Sequence, residues 1–516
     1  MFPPKTQPSD VGFTEIKWLK CRRLGDDKMM EKHLAELQQI RFGTDGIRGI
    51  AGEYPLEVAA VTRIGQSIGR WLAGRSEQTP SVVIGCDTRR SSEWIAHTLA
   101  GALLAEGSNV QHIGVISTPG VAHNVRVSGF DLGIMISASH NPADQNGIKL
   151  FGADGFKLDD QEEEAIEALI NGTQPPARKP QFGVYAASRD SGWETYFHHL
   201  RADFADGALA GLRVVLDCAN GAAYSIAPRL FDDLKADVLA INTTPDGYNI
   251  NVRAGSEHVR RDRQTLVDHV VGYQADLGIA FDGDADRVVF VTPEGMLIDG
   301  DHTMGLLAVE MQAKSALNGA TVVATDMSNT GLEDFLAQQG IAMSRTKVGD
   351  RYVMERMREG GFALGGEQAG HIIVLDEEHT CGDGIYAGLK IAALVATNKR
   401  TGGDSLTAMA SRIPRYPQVI ASVHLDSQVD LKTLPALKTL QEETLAAFGG
   451  RGRVNMRFSG TEPNLLRTMI EGGPSTSLDT VVGQVMQLCE PVIRATNSSN
   501  PRIDIVDCVT GAPVRL

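Results

Sequence analysis

The chain repeats one pattern three times: an apolar run that leads directly into a polar loop. The runs start at Asp131, Asp276 and Gly361, and the loops after them read S-A-S-H-N-P, D-G-D-A-D-R and G-E-Q-A-G-H. Upstream of each copy lies another strand-like run that ends in an acid, at Asp87, Asp217 and Asp326. Continuous β-branched runs alternating with helical patterns are typical of βαβ units in parallel sheets. Copies so far apart indicate duplicated domains, because solenoid repeats have periods of roughly 20–50 residues.

The length of 516 residues is consistent with duplicated domains, because a chain of this size is expected to form roughly three or four domains. We predict an α/β fold of three related mixed α/β domains and a smaller C-terminal α+β domain. The predicted ranges are an N-terminal extension at 1–40, domains at 41–188, 189–296, 297–411 and 412–497, and a C-terminal tail at 498–516. Each α/β domain is expected to present its loop at the strand ends, where ligands bind in open α/β sheets.

The overall charge limits the classes of molecule that the protein is expected to bind. A net charge of −15 argues against nucleic acid and anionic membranes, which need a basic surface. A phosphorylated small molecule stays compatible if arginines are concentrated at its site. The N-terminal residues have no apolar signal region, and no run approaches the roughly 18 apolar residues of a membrane span. The six cysteines lack C-x-x-C spacing, which indicates a reducing cytoplasm and neither a disulfide framework nor a zinc site.

Ser139 follows the apolar run Leu132–Ile136 and precedes His140, Asn141 and a proline. This order predicts a strand that enters a tight turn and leaves a hydroxyl at its C-terminal end. Taken alone, the segment is more typical of a simple turn, since Ser and Asn side chains bond their own backbone.

Three aspartates alternate in the second loop, at Asp282, Asp284 and Asp286. Carboxylates this close repel one another unless a cation lies between them, and oxygen ligands favour Mg²⁺ or Ca²⁺ over zinc. An EF-hand is excluded, because Arg287 and Pro293 occupy the positions that need Gly and Glu. A solvated turn remains the alternative.

Two further loops carry side chains suited to a phosphorylated sugar. Glu367 can accept sugar hydroxyls, and His371 can move a proton. A phosphate clamp is indicated near the C-terminus, because arginine forks, hydroxyls and glycine N–H groups all bind phosphate oxygens. Its residues are Arg457, Ser459, Gly460, Thr461 and Arg467. Such a segment also occurs in ordinary turns.

Together these loops resemble the α-D-phosphohexomutases. The motifs R-F-G-T-D-G-I-R-G, S-A-S-H-N-P, D-G-D-A-D-R, G-E-Q-A-G-H and R-F-S-G-T-E-P occur in the family order over about residues 41–493. Further segments, among them N-G-I-K-L-F, P-D-G-Y-N-I-N and K-V-G-D-R-Y-V, are most similar to the members that act on glucosamine phosphates. The family loop normally reads G-E-Q-S-G-H, so Ala369 removes a hydroxyl and leaves the sugar preference open.

The resemblance implies four domains around a central cleft and a phosphoserine at Ser139. It implies exchange of glucosamine 6-phosphate and glucosamine 1-phosphate through an enzyme-bound 1,6-bisphosphate, which also serves as activator, to supply UDP-N-acetylglucosamine synthesis. A glucose or mannose phosphate mutase, a non-catalytic sugar-phosphate binder and a serine phosphatase are the alternatives. A cytoplasmic enzyme that allows a homodimer is expected.

The resemblance also implies residue roles. Mg²⁺ would be held by the phosphoserine and by Asp282, Asp284 and Asp286. Arg48, His140 and Lys149 would line the transferring phosphoryl group, with Lys149 and His371 as acid/base candidates. The substrate-binding residues would be Arg287 beside the metal loop, Glu367 on the sugar hydroxyls, and Arg457, Ser459, Gly460, Thr461 and Arg467 on the distal phosphate.

Overall fold

A computed structural model describes residues 39–43, 45–75, 77–172, 182–459, 464–499 and 501–514. The predicted N-terminal extension lies outside these ranges except for its last two residues. Within them the chain forms four successive sheets, and the predicted class of three related α/β domains and a C-terminal α+β domain is confirmed. Among these residues no helix combines the length and the apolar composition needed to cross a bilayer.

The first sheet has six strands in the order β1-β5-β4-β2-β3-β6. The strands are β1 (Ile47–Ile50), β2 (Ser81–Cys86), β3 (Asn109–Val115), β4 (Leu132–Ile136), β5 (Gln145–Gly152) and β6 (Tyr185–Ala187). The helices are α1 (Val58–Ala73), α2 (Ser92–Ala105), α3 (Thr118–Val127) and α4 (Asp160–Asn171). Strand β4 is buried along its whole length, as expected for a continuous apolar run at the centre of a sheet covered on both faces.

The second sheet has the order β11-β10-β9-β7-β8. Its strands are β7 (Arg213–Asp217), β8 (Asp237–Ile241), β9 (Leu277–Phe281), β10 (Val288–Val291) and β11 (Leu297–Ile298). Its helices are α5 (Arg189–Ala202), α6 (Ala223–Asp233), α7 (Gly255–Arg261) and α8 (Gln264–Tyr273). The predicted start of the third domain at 297 is therefore too early, because β11 pairs with β10.

The third sheet has the order β13-β12-β14-β15. Its strands are β12 (Thr321–Thr325), β13 (Ala342–Thr346), β14 (Leu364–Gly366) and β15 (Ile372–Val374). Its helices are α9 (Gly300–Ala313), α10 (Thr330–Gln338), α11 (Asp350–Gly360), α12 (Gly384–Thr401) and α13 (Leu406–Ala410).

These three sheets share one plan. Strands β4, β9 and β14 each run parallel to a preceding strand and then turn back into an antiparallel neighbour, β5, β10 or β15. Each of the three repeated loops is this turn. The duplication read from the apolar runs therefore corresponds to a repeated strand-turn-strand unit, and it places all three loops at equivalent sheet edges.

The fourth sheet is antiparallel, in the order β17-β18-β16-β19-β20. It contains β16 (Gln418–His424), β17 (Arg453–Phe458), β18 (Leu465–Glu471), β19 (Arg502–Asp507) and β20 (Pro513–Val514), with α14 (Pro435–Ala447) and α15 (Leu478–Ala495). The prediction of a separate tail at 498–516 is wrong, because β19 pairs with β16 over six residues. The alternation of Ile503 and Ile505 with polar residues is a strand signal, and Ile505 is buried in the fourth domain's core.

The cores explain how the domains are joined. One buried apolar cluster contains residues of the first, second and third domains, among them Val83, Phe281 and Leu332. The fourth domain has a separate cluster of its own and meets the third through polar contacts, such as Glu471 with the N–H of Thr330 at 3.1 Å. Polar domain interfaces favour relative motion, so this arrangement suits a fourth domain that hinges on a three-domain body.

Candidate active site

Ser139 lies in the turn between β4 and β5 and adopts a left-handed backbone, with φ of 53°. Its N–H donates to Ser137 Oγ at 2.9 Å, and its carbonyl accepts from Arg89 Nη2 at 2.8 Å and Asn251 Nδ2 at 2.9 Å. Its hydroxyl donates to Asp282 Oδ2 at 2.5 Å. Strained residues persist only where their surroundings hold them, and they concentrate at functional sites. The structure thus directs this hydroxyl at the second domain's acidic loop.

A buried arginine that the sequence did not single out holds this turn. Arg89 pairs through Nε with Asp87 Oδ2 at 2.8 Å, and neither side chain is exposed. Its guanidinium donates to Ser139 and to further carbonyls of the same turn, those of Asn141, Pro142 and Gln145. The planar guanidinium of Arg89 offers several donors in fixed directions and therefore holds the carbonyls of the serine turn together. A lysine cannot fill this role. The acid at the end of β2 was the only signal of it in the sequence.

Replacing Arg89 with lysine is expected to lower kcat by about 100-fold with little change in KM, because the turn loses its donors while the charge is kept. Steady-state kinetics with a circular dichroism check on folding measures this. The matched control is Arg90→Lys, since Arg90 is exposed. Equal kcat values for the two variants would show that the clamp does not position Ser139.

The three aspartates of the second loop converge as predicted. Asp282, Asp284 and Asp286 are buried, and each offers an oxygen within 4.8 Å of the others. Gly283 allows the loop to approach the serine turn, because a Cβ there would lie 2.5 Å from the carbonyl oxygen of Ser139. The domains therefore place the hydroxyl and the carboxylates in contact.

Lys149 on β5 supplies the positive charge. Its Nζ lies 2.8 Å from Asp284 Oδ2, 3.3 Å from Asp286 Oδ2 and 3.0 Å from Asp45 Oδ2. Burial alone would lower the pKa of Lys149, but the three carboxylates raise it well above its usual value. An ammonium held this way keeps its proton, so Lys149 suits charge stabilisation better than proton acceptance.

The charges on the triad are unequally compensated. Burial, then Asp286 and Asp284, raise the pKa of Asp282 well above its usual range. Burial also opposes the charge of Asp286, but Lys149 and His371 outweigh it and lower the pKa of that carboxyl. Among the described residues, Asp284 Oδ1 and Asp286 Oδ1 are buried without a hydrogen-bond donor. Unsatisfied buried carboxylate oxygens of this kind fit a hard divalent cation.

His371 lies between two carboxylates. Its Nδ1 is 3.8 Å from Asp286 Oδ1, and its Nε2 is 3.6 Å from Asp350 Oδ2. A backbone bridge joins His371 to Arg287, which connects the third repeated loop to the acidic loop of the second domain. Burial would lower the pKa of His371, but Asp286, Asp350 and Glu367 raise it. The ring is therefore favoured in its charged form, able to donate a proton.

Gly382 packs directly against this ring, since a Cβ at that position would overlap Nε2 of His371. Substitution Gly382→Ala is expected to displace the imidazole and reduce kcat by about 10–100-fold. The control is Gly272→Ala, where a Cβ meets nothing within 4 Å and helix propensity favours alanine by about 1 kcal/mol. Steady-state kinetics and thermal melts compare the two variants. An unchanged kcat in Gly382→Ala would show that His371 takes no part in catalysis.

Arg48 and His140 complete the surroundings of the serine. Arg48 on β1 pairs with Asp45, which in turn contacts Lys149. His140 Nδ1 is 3.1 Å from Arg287 Nη1 and 3.4 Å from the serine hydroxyl. Burial and Arg287 lower the pKa of His140 to about 4. This ring is therefore neutral at neutral pH, in contrast to His371.

Of the predicted substrate-binding residues, Arg287 lies in the loop of the second domain, and the others lie on the third and fourth domains. Glu367 Oε1 accepts from the N–H of Gly349 at 3.1 Å. Arg457 and Arg467 face each other across β17 and β18, and Ser459 follows β17. Gly460 and Thr461 lie outside the described residues.

A glutamine pair connects these two regions. Gln368, beside Glu367, donates to Gln418 Oε1 on β16 at 3.0 Å. The third repeated loop and the fourth domain's sheet are thus linked by side-chain amides.

Most of the predicted catalytic and metal-binding residues lie close together in the structure. The structure brings Ser139, His140, Lys149, Arg287, His371 and the three aspartates into one connected network, with Arg48 joined through Asp45. Sequence reasoning missed the roles of Asp45, Asp87, Arg89, Thr118 and Asp350. Thr118 Oγ1 donates to Asp284 Oδ2 at 2.6 Å. Asp45 and Asp350 lie inside the family motifs R-F-G-T-D-G-I-R-G and K-V-G-D-R-Y-V, so the motifs could have indicated these two residues.

Four family models match the chain. They are the phosphoglucomutase/phosphomannomutase alpha/beta/alpha domains I, II and III, at residues 39–176, 194–295 and 299–416, and the C-terminal domain of the same family, at residues 422–488. The phosphoglucosamine mutase of Staphylococcus aureus is 40% identical over 452 residues, which cover 87% of this chain and 98% of the relative.

Solved structures share the fold. A phosphoglucomutase/phosphomannomutase family protein from Burkholderia thailandensis has a TM-score of 0.72 at 22% identity and covers 90% of this chain and 99% of its own. The N-acetylphosphoglucosamine mutase of Aspergillus fumigatus, solved with GlcNAc-6P and magnesium, has a TM-score of 0.61 at 16% identity, with 88% and 96% of the two chains covered.

Proposed function

The chain belongs to the phosphoglucomutase/phosphomannomutase family, the α-D-phosphohexomutases, and we propose that it interconverts glucosamine 6-phosphate and glucosamine 1-phosphate. The observation that carries this proposal is the left-handed Ser139, whose hydroxyl contacts the buried triad. The 40% identity to a phosphoglucosamine mutase over nearly its whole length supports the sugar.

Asp282, Asp284 and Asp286 would hold Mg²⁺ together with an oxygen of the phosphorylated Ser139. The donor set fits, because it consists of carboxylate oxygens, two of which have no other donor among the described residues. When bound, the ion neutralises charge on the transferring phosphoryl group. Lys149 and Arg48 add fixed positive charge around the same oxygens, where water is excluded.

Covalent transfer divides the exchange into two matched steps. In the first, the phosphoryl group of Ser139 forms a bond to O1 of glucosamine 6-phosphate, its bond to Oγ breaks, and the proton of the 1-hydroxyl is exchanged for one on Oγ. The 1,6-bisphosphate then turns in the cleft. In the second step the 6-phosphoryl group forms a bond to Oγ, its bond to O6 breaks, Oγ loses its proton, O6 gains one, and glucosamine 1-phosphate leaves.

His371 suits the proton transfer. Its pKa is raised between Asp286 and Asp350, so it can donate to the leaving oxygen and accept in the reverse direction. Lys149 keeps its proton and stabilises charge instead. Burial of Ser139 protects the phosphoserine from water, which a mutase must exclude to avoid hydrolysis.

The opposed pair Arg457 and Arg467 is proposed to grip the distal phosphate together with Ser459, Gly460 and Thr461. Arg457→Ala is expected to reduce kcat/KM by about 10–100-fold for either monophosphate, because the clamp must serve both orientations of the intermediate. The control is Arg502→Ala on the same sheet, whose arginine pairs with Asp504 at the surface. Loss for one monophosphate alone would contradict a shared clamp.

A ³¹P NMR time course tests the activity, with Mg²⁺, a trace of bisphosphate activator and three 6-phosphates in parallel: glucosamine, glucose and mannose. Conversion of the glucosamine ester at the highest rate is expected, and it would show that Ala369 is tolerated. A preference for glucose or mannose phosphate would leave the family assignment unchanged and would show that the substrate is a different sugar phosphate. No 1-phosphate from any sugar, with Ser139 shown to be phosphorylated, would favour a sugar-phosphate binder.

A further inference from the structure

A second cluster of metal-binding side chains lies outside the active site. We define the histidine cluster as His123, His199, Glu378 and His379. His123 is on α3, His199 is on α5, and the other two belong to the loop between β15 and α12. His123, His199 and Glu378 each offer a ligand atom within 4.8 Å of the others. Three segments far apart in the chain thus converge on one point.

Two of these imidazoles are buried with an unpaired nitrogen. His123 is 6% exposed and His379 is 5% exposed, and among the described residues His123 Nδ1 and His379 Nε2 have no hydrogen-bond partner. A buried polar atom without a partner is rare and destabilises the fold. All four side chains border a cavity of about 10 Å³, which is room for about one ion or water.

The other contacts orient these groups for ligation. Asp376 Oδ1 lies 3.0 Å from His379 Nδ1, which leaves Nε2 as the unpaired nitrogen of His379, a residue that lines the cavity. Arg126 Nη2 donates to Glu378 Oε2 at 2.8 Å, which fixes one carboxylate oxygen and leaves the other. The positive charge of Arg126 opposes a cation here, and the carboxylates of Glu378 and Asp376 offset it.

Two of the imidazoles of the histidine cluster lie face to face. The rings of His123 and His199 are stacked with centroids 4.0 Å apart. Because a metal lies in the plane of an imidazole, one ring must rotate about its Cβ–Cγ bond when the ion binds.

We propose that the histidine cluster is a zinc site, with ligands from His123, His199 and Glu378 and a fourth position open to water, while His379 lines the same cavity. Imidazole-rich donors with one carboxylate suit Zn²⁺, whereas the all-oxygen triad suits Mg²⁺. The cysteine spacing gave no indication of zinc, because this site uses no cysteine.

The site has a structural role in the fold. It ties α3 and α5 to the loop at 375–383, and that loop carries Gly382 against the ring of His371. The same loop is held to the first domain by Thr380, whose hydroxyl donates to the carbonyl of Gly155 at 2.8 Å. Bound zinc therefore stabilises the interface between the first and third domains and helps to hold the ring of His371 in place through Gly382.

Zinc binding by the full-length protein tests this proposal. Protein stripped with EDTA is given ZnCl₂, and bound metal is measured by mass spectrometry after gel filtration in excess Mg²⁺. All variants carry Asp284→Asn, so that the triad does not contribute. About one zinc per chain and a higher Tm are expected.

His199→Phe keeps the ring stack and removes the ligand, so it should lose the zinc and the Tm increase. His198→Phe is the matched control, because His198 is exposed on the same helix. Glu378→Gln, at a half-exposed side chain, gives a second variant with little effect on folding and should bind zinc at least about 10-fold more weakly. Equal zinc binding by all three variants, or none by the parent, would overturn the site.

Discussion

Replacing Ser139 with alanine is expected to abolish mutase turnover, with a loss on the order of 10⁴-fold or more. No other described hydroxyl bonds to Asp282, and without it there is no oxygen to carry the phosphoryl group. The protein should still fold, because the turn is held through the backbone of Ser139 by Arg89 and Asn251. Kinetics, circular dichroism and ³¹P NMR of the purified variant measure this.

The control for this variant is Ser411→Ala, an exposed serine at the end of α13 that bonds locally. It should keep full activity. Residual turnover in Ser139→Ala above the level of contaminating enzyme would contradict a covalent route through this hydroxyl. Loss of secondary structure in the variant would instead show that the side chain is needed for folding.

Replacing Asp282 with asparagine is expected to have opposite effects on activity and on metal-free stability. Activity should fall by about 100–1,000-fold, because one of three carboxylates for the cation is lost. In EDTA the variant should melt at a higher temperature than the wild type. Burial and the two other aspartates already disfavour the charge of Asp282. The amide oxygen can still accept from the N–H of Arg287, and the amide NH2 can donate to the hydroxyl oxygen of Ser139.

Differential scanning calorimetry with and without Mg²⁺ separates these effects. The wild type should gain more in Tm from Mg²⁺ than the variant does, because only bound ligand stabilises the folded state by mass action. Asp268→Asn on α8 is the control, since Asp268 is exposed and accepts a hydrogen bond from its neighbour Gln264. An Mg²⁺-induced Tm gain in Asp282→Asn equal to that of the wild type would place the cation elsewhere.

The repeated apolar runs were enough to predict three α/β domains and to place the three loops at strand ends. This worked because continuous apolar strands such as β4 and β9 have one stable position, at the centre of a sheet covered on both faces. The acidic triad was also readable, because the spacing of Asp282, Asp284 and Asp286 shows the charge repulsion directly. The resemblance to the family supplied the roles of the more isolated residues.

Contacts between domains could not be read in the same way. Arg89 donates to backbone carbonyls. Because every residue type has a backbone carbonyl, the sequence does not show which residues accept these bonds. Asp350 meets His371 only because α11 begins beside the third loop, and Gly382 is needed only because that ring lies against it. Strand β19 was missed for another reason: six residues of weak alternation carry little signal until a sheet edge is known to need a partner.

A single-turnover experiment on the phosphorylated enzyme tests the central claim most directly. Protein phosphorylated on Ser139 is mixed with an equal amount of glucosamine 6-phosphate and quenched, and the intact protein mass and the released phosphates are measured. The proposed mechanism predicts that loss of one phosphoryl group from the Ser139 peptide matches the glucosamine 1,6-bisphosphate formed. Release of inorganic phosphate instead, or formation of glucosamine 1-phosphate with no bisphosphate and no loss of the Ser139 phosphoryl group at any quench time, would contradict it.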